Sequence, residues 1–267
     1  MRSMFARAGN LLGTRVESAA RLTGGDLSSV SRLVLADGRC AIAKHGPLVA
    51  MEAVMLETMR ANAVPVPHIL AVEKGLLILE ELPSSGRITR SWSHLSEVLD
   101  HLHAPTSQHY GWAQDYGFGP VDIANARSTD WVEFWADNRL RCHLVHVEPH
   151  LAHRIARLAD RLGDILPKAP RSALLHGDLW SGNILTEQDH VSGLIDPACY
   201  YGDREVDLAM LSLFDRPPDA FYDACGLEDG WQERQPVYRL WPLLVHLRLF
   251  GGAYHQEAGA CLDLLGF

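Results

Sequence analysis

The residues at 15–22, 29–36 and 39–44 fall in short β-like runs, which predict three strands, and Ala36-Asp37-Gly38-Arg39 reads as a hairpin turn between the last two. Over 48–61 the apolar spacing is that of a helix. Val54, Met55 and Met59, with neighbouring alanines, mark its apolar face, and the pattern stops before Val64-Pro65-Val66-Pro67. Strand-like runs return at 68–72 and 76–79 around a Glu73-Lys74-Gly75 turn. Beyond Pro83-Ser84-Ser85-Gly86 the helical period dominates, at 92–103, 130–146, 149–166, 204–214 and 235–250. This order predicts an α+β fold of two lobes: a small β-rich lobe over 1–82 and a larger, mainly helical lobe over 83–267, hinged at 83–86.

The composition suits such a fold. Of 267 residues, 47% are apolar and 21% charged, far from the composition of disordered chains. No apolar run is long enough for a membrane span, and the N-terminus has no apolar segment followed by a cleavage site, so a cytoplasmic protein is expected. Cys40, Cys142, Cys199, Cys225 and Cys261 are scattered singly, without zinc-site spacing, which suits a reducing compartment. The excess of 33 acidic over 24 basic residues gives a formal charge of −9; it argues against a nucleic-acid partner and favours neutral or cationic substrates. The fourteen histidines are dispersed, and His143 and His146 read as solvated positions on one helix face.

One segment of the second lobe breaks the helical rhythm. An apolar strand at Leu174-Leu175 runs into His176-Gly177-Asp178-Leu179-Trp180-Ser181-Gly182-Asn183, and a second hairpin ends at Gly193-Leu194-Ile195-Asp196-Pro197. Alone, His-Gly-Asp is a turn with Asp as a local cap. An Asn five residues beyond the Asp and a further Asp at a strand end fit phosphoryl transfer better. That chemistry needs one carboxylate to position the attacking hydroxyl and hard oxygen ligands for the metal on the nucleotide phosphates. Asp178 suits the first role, and Asn183 with Asp196 suits Mg²⁺.

The 176–183 run, with its Trp, resembles the fructosamine-3-kinase (ketosamine kinase) family, within the wider group of aminoglycoside and choline kinases. So do Asp196-Pro197-Ala198-Cys199-Tyr200-Tyr201-Gly202-Asp203-Arg204-Glu205-Val206-Asp207, Thr23-Gly24-Gly25, Ala43-Lys44 and the segments 131–140 and 233–252, which together cover most of the chain. The resemblance implies a protein-kinase-like bilobal fold that uses ATP and Mg²⁺. It implies that Gly24 and Gly25 cover the phosphates, that Lys44 neutralises the α/β-phosphates with Glu52 orienting it, and that the backbone at Glu80, Glu81 and Leu82 meets the adenine. It also implies that His176 and Asp207 support the catalytic loop and that Trp180 borders the sugar. Helix capping is an almost equal account of Asp207, and core packing a rival account of Trp180. His101 and His103 resemble a helix end of such kinases and receive no catalytic role. Two features depart from the pattern: residues 23–30 contain no Cys, and His45-Gly46-Pro47 leaves a short link from Lys44 to the helix.

In the family the acceptor is the 3-hydroxyl of a ketoamine formed by glycation, and its phosphorylation frees the amine. The resemblance therefore implies a ketosamine kinase, expected as a monomer without nucleic-acid or membrane partners. Two other readings stand beside it: a hydroxyl kinase acting on an aminoglycoside, choline or another amine-bearing metabolite, and a nucleotide-binding pseudokinase.

Overall fold

The computed structural model describes residues 2–22 and 29–267, so Gly24 and Gly25 lie outside the described residues. Its principal elements in chain order begin with α1 (Arg2–Leu12), β1 (Val16–Arg21), β2 (Ser29–Leu35), β3 (Cys40–His45), α2 (Val49–Ala61), β4 (Ile69–Glu73), β5 (Leu76–Glu80) and α3 (Trp92–Leu102). There follow β6 (Tyr116–Phe118), β7 (Val121–Ile123), α4 (Trp131–Trp135), α5 (Pro149–Arg161), β8 (Ala173–Leu175), β9 (Ile184–Glu187), β10 (His190–Leu194), β11 (Tyr200–Gly202), α6 (Glu205–Phe214), α7 (Asp219–Ala224), α8 (Trp231–Phe250) and α9 (His255–Leu264). The α+β class is as expected. Helices α1, α7 and α9 and the β6–β7 pair are additions to the sequence reading. Among the described residues no helix is long and apolar enough to cross a membrane.

Two compact units emerge, 1–98 with 182–197, and 99–181 with 198–267. The first therefore takes in 83–98, the expected hinge included, and the β9–β10 hairpin. Hydrogen bonds explain the assignment: Gly86 N–H donates to the Thr186 carbonyl at 2.8 Å, Ser85 N–H to Glu187 Oε2 at 3.1 Å, and Val191 N–H to His94 Nδ1 at 2.9 Å.

The first unit is built on an antiparallel sheet of order β1-β2-β3-β5-β4. The turn between β2 and β3 is the one read from the sequence, with Gly38 at φ 86° and Asp37 accepting the Arg39 N–H at 3.1 Å. Leu33, Leu35, Ala41, Ala43, Leu76 and Ile78 form one buried cluster with Ala8 of α1, against which Met4, Phe5 and Leu12 also pack. Side chains alternate along a strand, so Lys44, next after Ala43, projects from the opposite side. On α2 the buried stripe is Val49, Ala53, Met55, Leu56 and Met59, and Val54, expected on it, is exposed. Steps of three and four residues keep the stripe on one face, and Val54 falls outside it.

In the second unit β8 pairs antiparallel with β11. This pairing sets the loop after β8 beside the residues before β11, and the Ala198 N–H donates to the His176 carbonyl at 2.8 Å. The expected helix over 130–146 is broken: α4 gives way to a wider π-turn at Ala136–Leu140 and then a 3₁₀ segment at Arg141–His146. The π-turn is where Arg139 is buried. Its guanidinium lies 4.8, 4.3 and 4.8 Å from the ring centres of Phe134, Tyr200 and Trp241 and donates to the Ala124 carbonyl and Asn125 Oδ1, each at 2.7 Å. His143, expected to be solvated, is instead 1% exposed. The change to 3₁₀ geometry alters which residues face inward, so the helical pattern over 130–146 mispredicts its side.

Candidate active site

In the first unit the buried Lys44 ammonium is held by two carboxylates. It lies 2.5 Å from Glu52 Oε1 on α2 and is bonded to Asp196 Oδ1. The lysine-to-glutamate pairing expected from the sequence thus forms despite the short His45-Gly46-Pro47 link. Burial alone would lower the lysine pKa, but Glu52 and then Asp196 more than offset it, and the pKa lies above the ordinary lysine value. A fixed ammonium at a strand end has the charge and the donors that a phosphate group would need.

Asp196 has φ 55°, an uncommon conformation for a residue with a Cβ. Such conformations recur where function requires them. Asn183 is buried, and its carbonyl accepts the Ile195 N–H at 3.0 Å, which ties residue 183 to the approach to Asp196. Among the described residues no group of three or more His, Cys, Asp or Glu could hold a metal. A carboxylate and a carboxamide with hard oxygens nevertheless fit Mg²⁺, which takes few protein ligands and completes its shell with phosphate oxygens and water.

Glu80 closes β5, donating its N–H to the His68 carbonyl at 2.9 Å, while Arg32 engages the Glu81 side chain at 2.5 and 3.0 Å. Leu82 packs on Gly193, where any Cβ would overlap the leucine methyl. These contacts use the side chains of Glu81 and Leu82 structurally.

The second unit carries the His176-Gly177-Asp178 loop. Gly177 has φ 79°, and a Cβ there would overlap the Ala198 carbonyl oxygen, so glycine is required by both conformation and space. The fully buried Asp207 on α6 fixes the loop from below. Its Oδ2 accepts the His176 N–H at 2.8 Å, and its Oδ1 accepts the Gly177 N–H at 2.9 Å. Of the two accounts of Asp207, its hydrogen bonds favour the brace, since they run to the loop.

His103 supplies a further donor, Nε2, 2.9 Å from Asp207 Oδ2. This contact was missed in the sequence, where His103 showed only as a polar residue closing an apolar helix and resembling a helix end of such kinases. His176 is buried, and its Nδ1 accepts the Asp178 N–H at 3.3 Å, while the Asp178 side chain is only partly covered. Trp180 is 38% exposed and stands 5.9 Å from Phe214, which is against core packing as its role.

The sequence model of fructosamine kinase matches residues 10–265. This chain belongs to the fructosamine kinase family. It is 34% identical to a probable ketoamine kinase of Synechocystis over 91% of this chain and 88% of that one. It is also 30% identical to the chloroplastic protein-ribulosamine 3-kinase of Arabidopsis thaliana, over 82% of this chain and 71% of that one. A solved Thermobifida fusca protein, provisionally named fructosamine-3-kinase, superposes with a TM-score of 0.89 at 29% identity, covering 99% of this chain and 98% of its own. An aminoglycoside phosphotransferase in a ternary complex with AMP-PNP and hygromycin B shares the fold, with a TM-score of 0.70 at 18% identity over 99% and 97% of the two chains. The fructosamine kinase family thus sits on the kinase-like fold expected from the sequence.

Proposed function

We propose that this protein is an ATP-dependent kinase that phosphorylates the 3-hydroxyl of ketosamines, the adducts formed when sugars glycate amines, and so promotes their breakdown to free amine. The observation that carries this reading is the Asp207-braced His176-Gly177-Asp178 loop in a chain of the fructosamine kinase family. The relatives named as ketoamine and ribulosamine kinases support the acceptor class. The enzyme acts in the cytoplasm, on free or protein-linked adducts.

In this reading Asp178 accepts a hydrogen bond from the acceptor 3-hydroxyl, aims its oxygen and takes its proton as the new bond to the γ-phosphorus forms. The bond from that phosphorus to the β–γ bridging oxygen breaks, and ADP leaves. Lys44, kept cationic by Glu52 and Asp196, binds the α- and β-phosphates. Asn183 and Asp196 would hold Mg²⁺, which neutralises charge on the phosphates. His176 and Asp207 keep the Asp178 backbone in one conformation, so little reorganisation is needed at the moment of transfer. Gly24 and Gly25 cover the phosphates with backbone N–H groups, the backbone at Glu80, Glu81 and Leu82 binds adenine, and Trp180 offers an apolar face to the sugar.

The test is incubation with MgATP and a small fructosamine or ribulosamine, with the product followed by phosphorus NMR. A ketosamine 3-phosphate formed together with ADP is the expected result. ADP formation on aminoglycosides or choline, with none on several ketosamines, would establish the related hydroxyl-kinase reading. Nucleotide binding without turnover of any acceptor would establish the pseudokinase.

A further inference from the structure

We infer that Asp215 is the anion that receives the acceptor's ammonium, holding the amine-bearing end of the substrate beside the Trp180–Phe214 pair. The inference rests on the ketosamine reading above and names the group that separates a ketosamine from a plain ketose. The two acceptors share the reacting 3-hydroxyl. They differ at C1, where a ketosamine bears a secondary amine that is protonated near neutral pH. Selectivity for the amine requires a negative group within reach of the catalytic loop.

Asp215 is placed for this. It follows α6 directly, and its N–H donates to the Leu211 carbonyl at 2.9 Å, which fixes its backbone to the end of the helix. Its Oδ2 accepts the Ser181 N–H at 2.8 Å. Ser181 comes three residues after Asp178, a stretch that spans at most about 11 Å. A ketosamine places its amine and its 3-hydroxyl at opposite ends of the C1–C2–C3 segment, so a single acceptor has one group for each of two neighbouring carboxylates. The Ser181 amide occupies only Oδ2, and the Asp215 side chain is partly exposed.

The surroundings favour a cation with an apolar attachment. Trp180 and Phe214, 38% and 41% exposed, flank Asp215 and its Ser181 partner in sequence and stand 5.9 Å apart. Aromatic surface continues from Phe214 to His246 at 5.4 Å and from His246 to the half-exposed Phe250 at 5.6 Å. A contiguous exposed aromatic run marks a binding surface, and apolar walls reduce the water that would weaken an ion pair. The hydrogen bond to Ser181 gives Asp215 a structural role as well, and the two roles separate by experiment.

Asp215→Asn keeps a carbonyl oxygen for the Ser181 N–H and removes the charge. The assay compares a fructosamine with the ketose ether in which oxygen replaces its amine nitrogen, in the wild type, Asp215→Asn and Asp215→Glu. The wild type should prefer the fructosamine. Asp215→Asn should raise its KM about tenfold or more, the size of a lost charge-assisted hydrogen bond. The kcat, the KM for ATP and the turnover of the ether should stay as in the wild type, and Asp215→Glu should recover most of the preference. Equal losses on amine and ether would make Asp215 a purely structural residue, and an unchanged KM for the fructosamine would likewise overturn the assignment. If the wild type phosphorylates choline or an aminoglycoside and neither ketose compound, the ketosamine reading fails first and takes this inference with it.

Discussion

Nε2 of His103 lies 2.9 Å from Oδ2 of Asp207, and both side chains are buried. The same carboxylate accepts the N–H groups of His176 and Gly177, so a charge with no access to water is met by donors on both oxygens. Removing it leaves donors stranded. Asp207→Ala should cost about 1–3 kcal/mol for each unpaired buried N–H and lower kcat by at least about tenfold, with the KM for ATP little changed. His103→Ala, which leaves both loop bonds in place, should do less on each measure. Urea denaturation and steady-state kinetics of the two variants decide the matter, and wild-type kcat in Asp207→Ala would show that the loop holds its shape unaided.

Asp178 and Asp196 should fail in different ways when neutralised. Under the proposed mechanism Asp178→Asn loses the group that positions the acceptor hydroxyl, so kcat should drop by about a hundredfold or more while MgATP affinity stays near wild type. Asp196 holds Lys44, and in the proposed mechanism it would also offer oxygen to Mg²⁺, so Asp196→Asn should weaken MgATP binding and turnover together. Titration calorimetry with MgATP separates the two outcomes. Equal loss of nucleotide affinity in both variants would contradict this division of roles.

How far the sequence could be read depended on the range of the interactions involved. The β2–β3 hairpin was legible because Asp37-Gly38 carries its own turn chemistry, and α2 because its apolar spacing is local. The 176–183 run stood out through its closely spaced residues. His103 lies 104 positions from its partner Asp207, and no local pattern encodes that pairing. Asp215 was equally silent, since its meaning comes from the Ser181 amide 34 positions earlier. His143 was misjudged for a related reason: the helical period assumes a regular helix, and the π-turn that buries Arg139 ends that period.

Oxidation should leave the enzyme active. Cys199, the cysteine nearest Asp196 in sequence, is fully buried, and that burial drives its thiol pKa well above the ordinary value, so little reactive thiolate exists. Residues 23–30 contain no thiol at all. Activity after mild peroxide should match that after dithiothreitol, and a reversible loss that persists in Cys199→Ala would locate the sensitivity at another cysteine.

His143 should make the fold sensitive to acid. Burial, together with the charges of Arg248 and Arg139, lowers its pKa from 6.5 to about 3. The unfolded chain therefore takes up a proton below pH 6.5 that the folded protein refuses until about pH 3. Its contribution is full above 6.5 and falls with pH across that window, by up to about 1.4 kcal/mol per pH unit. Asp203 acts in the opposite sense: burial and the nearby Glu205 raise its pKa from 3.8 to about 7, so its contribution is lost as pH rises between those values. The wild-type profile mixes the two, and the informative quantity is the difference between wild type and His143→Leu. That difference should move in favour of the variant as pH falls through the window, in urea melts at matched ionic strength; a constant difference would mean that His143 titrates normally in the folded protein.

Trp180 should govern the choice of acceptor without affecting the nucleotide. The indole is two residues beyond Asp178, exposed, and supported on one side by Phe214. A flat apolar surface beside the positioning carboxylate suits the carbon face of a single sugar and narrows the space for a bulky multi-ring acceptor. In the wild type kcat/KM should therefore favour small ketosamines over aminoglycosides and choline. Trp180→Ala removes the surface while leaving Asp178 and its support from His176 and Asp207 untouched, so the KM for a ketosamine should rise by about tenfold and the KM for ATP should hardly move. The gap between ketosamine and aminoglycoside should narrow as the site widens. If Trp180→Ala instead raises both KM values alike, or lowers kcat alone, the indole serves the shape of the catalytic loop, and acceptor selectivity must come from the charge at Asp215 and the aromatic surface beyond Phe214.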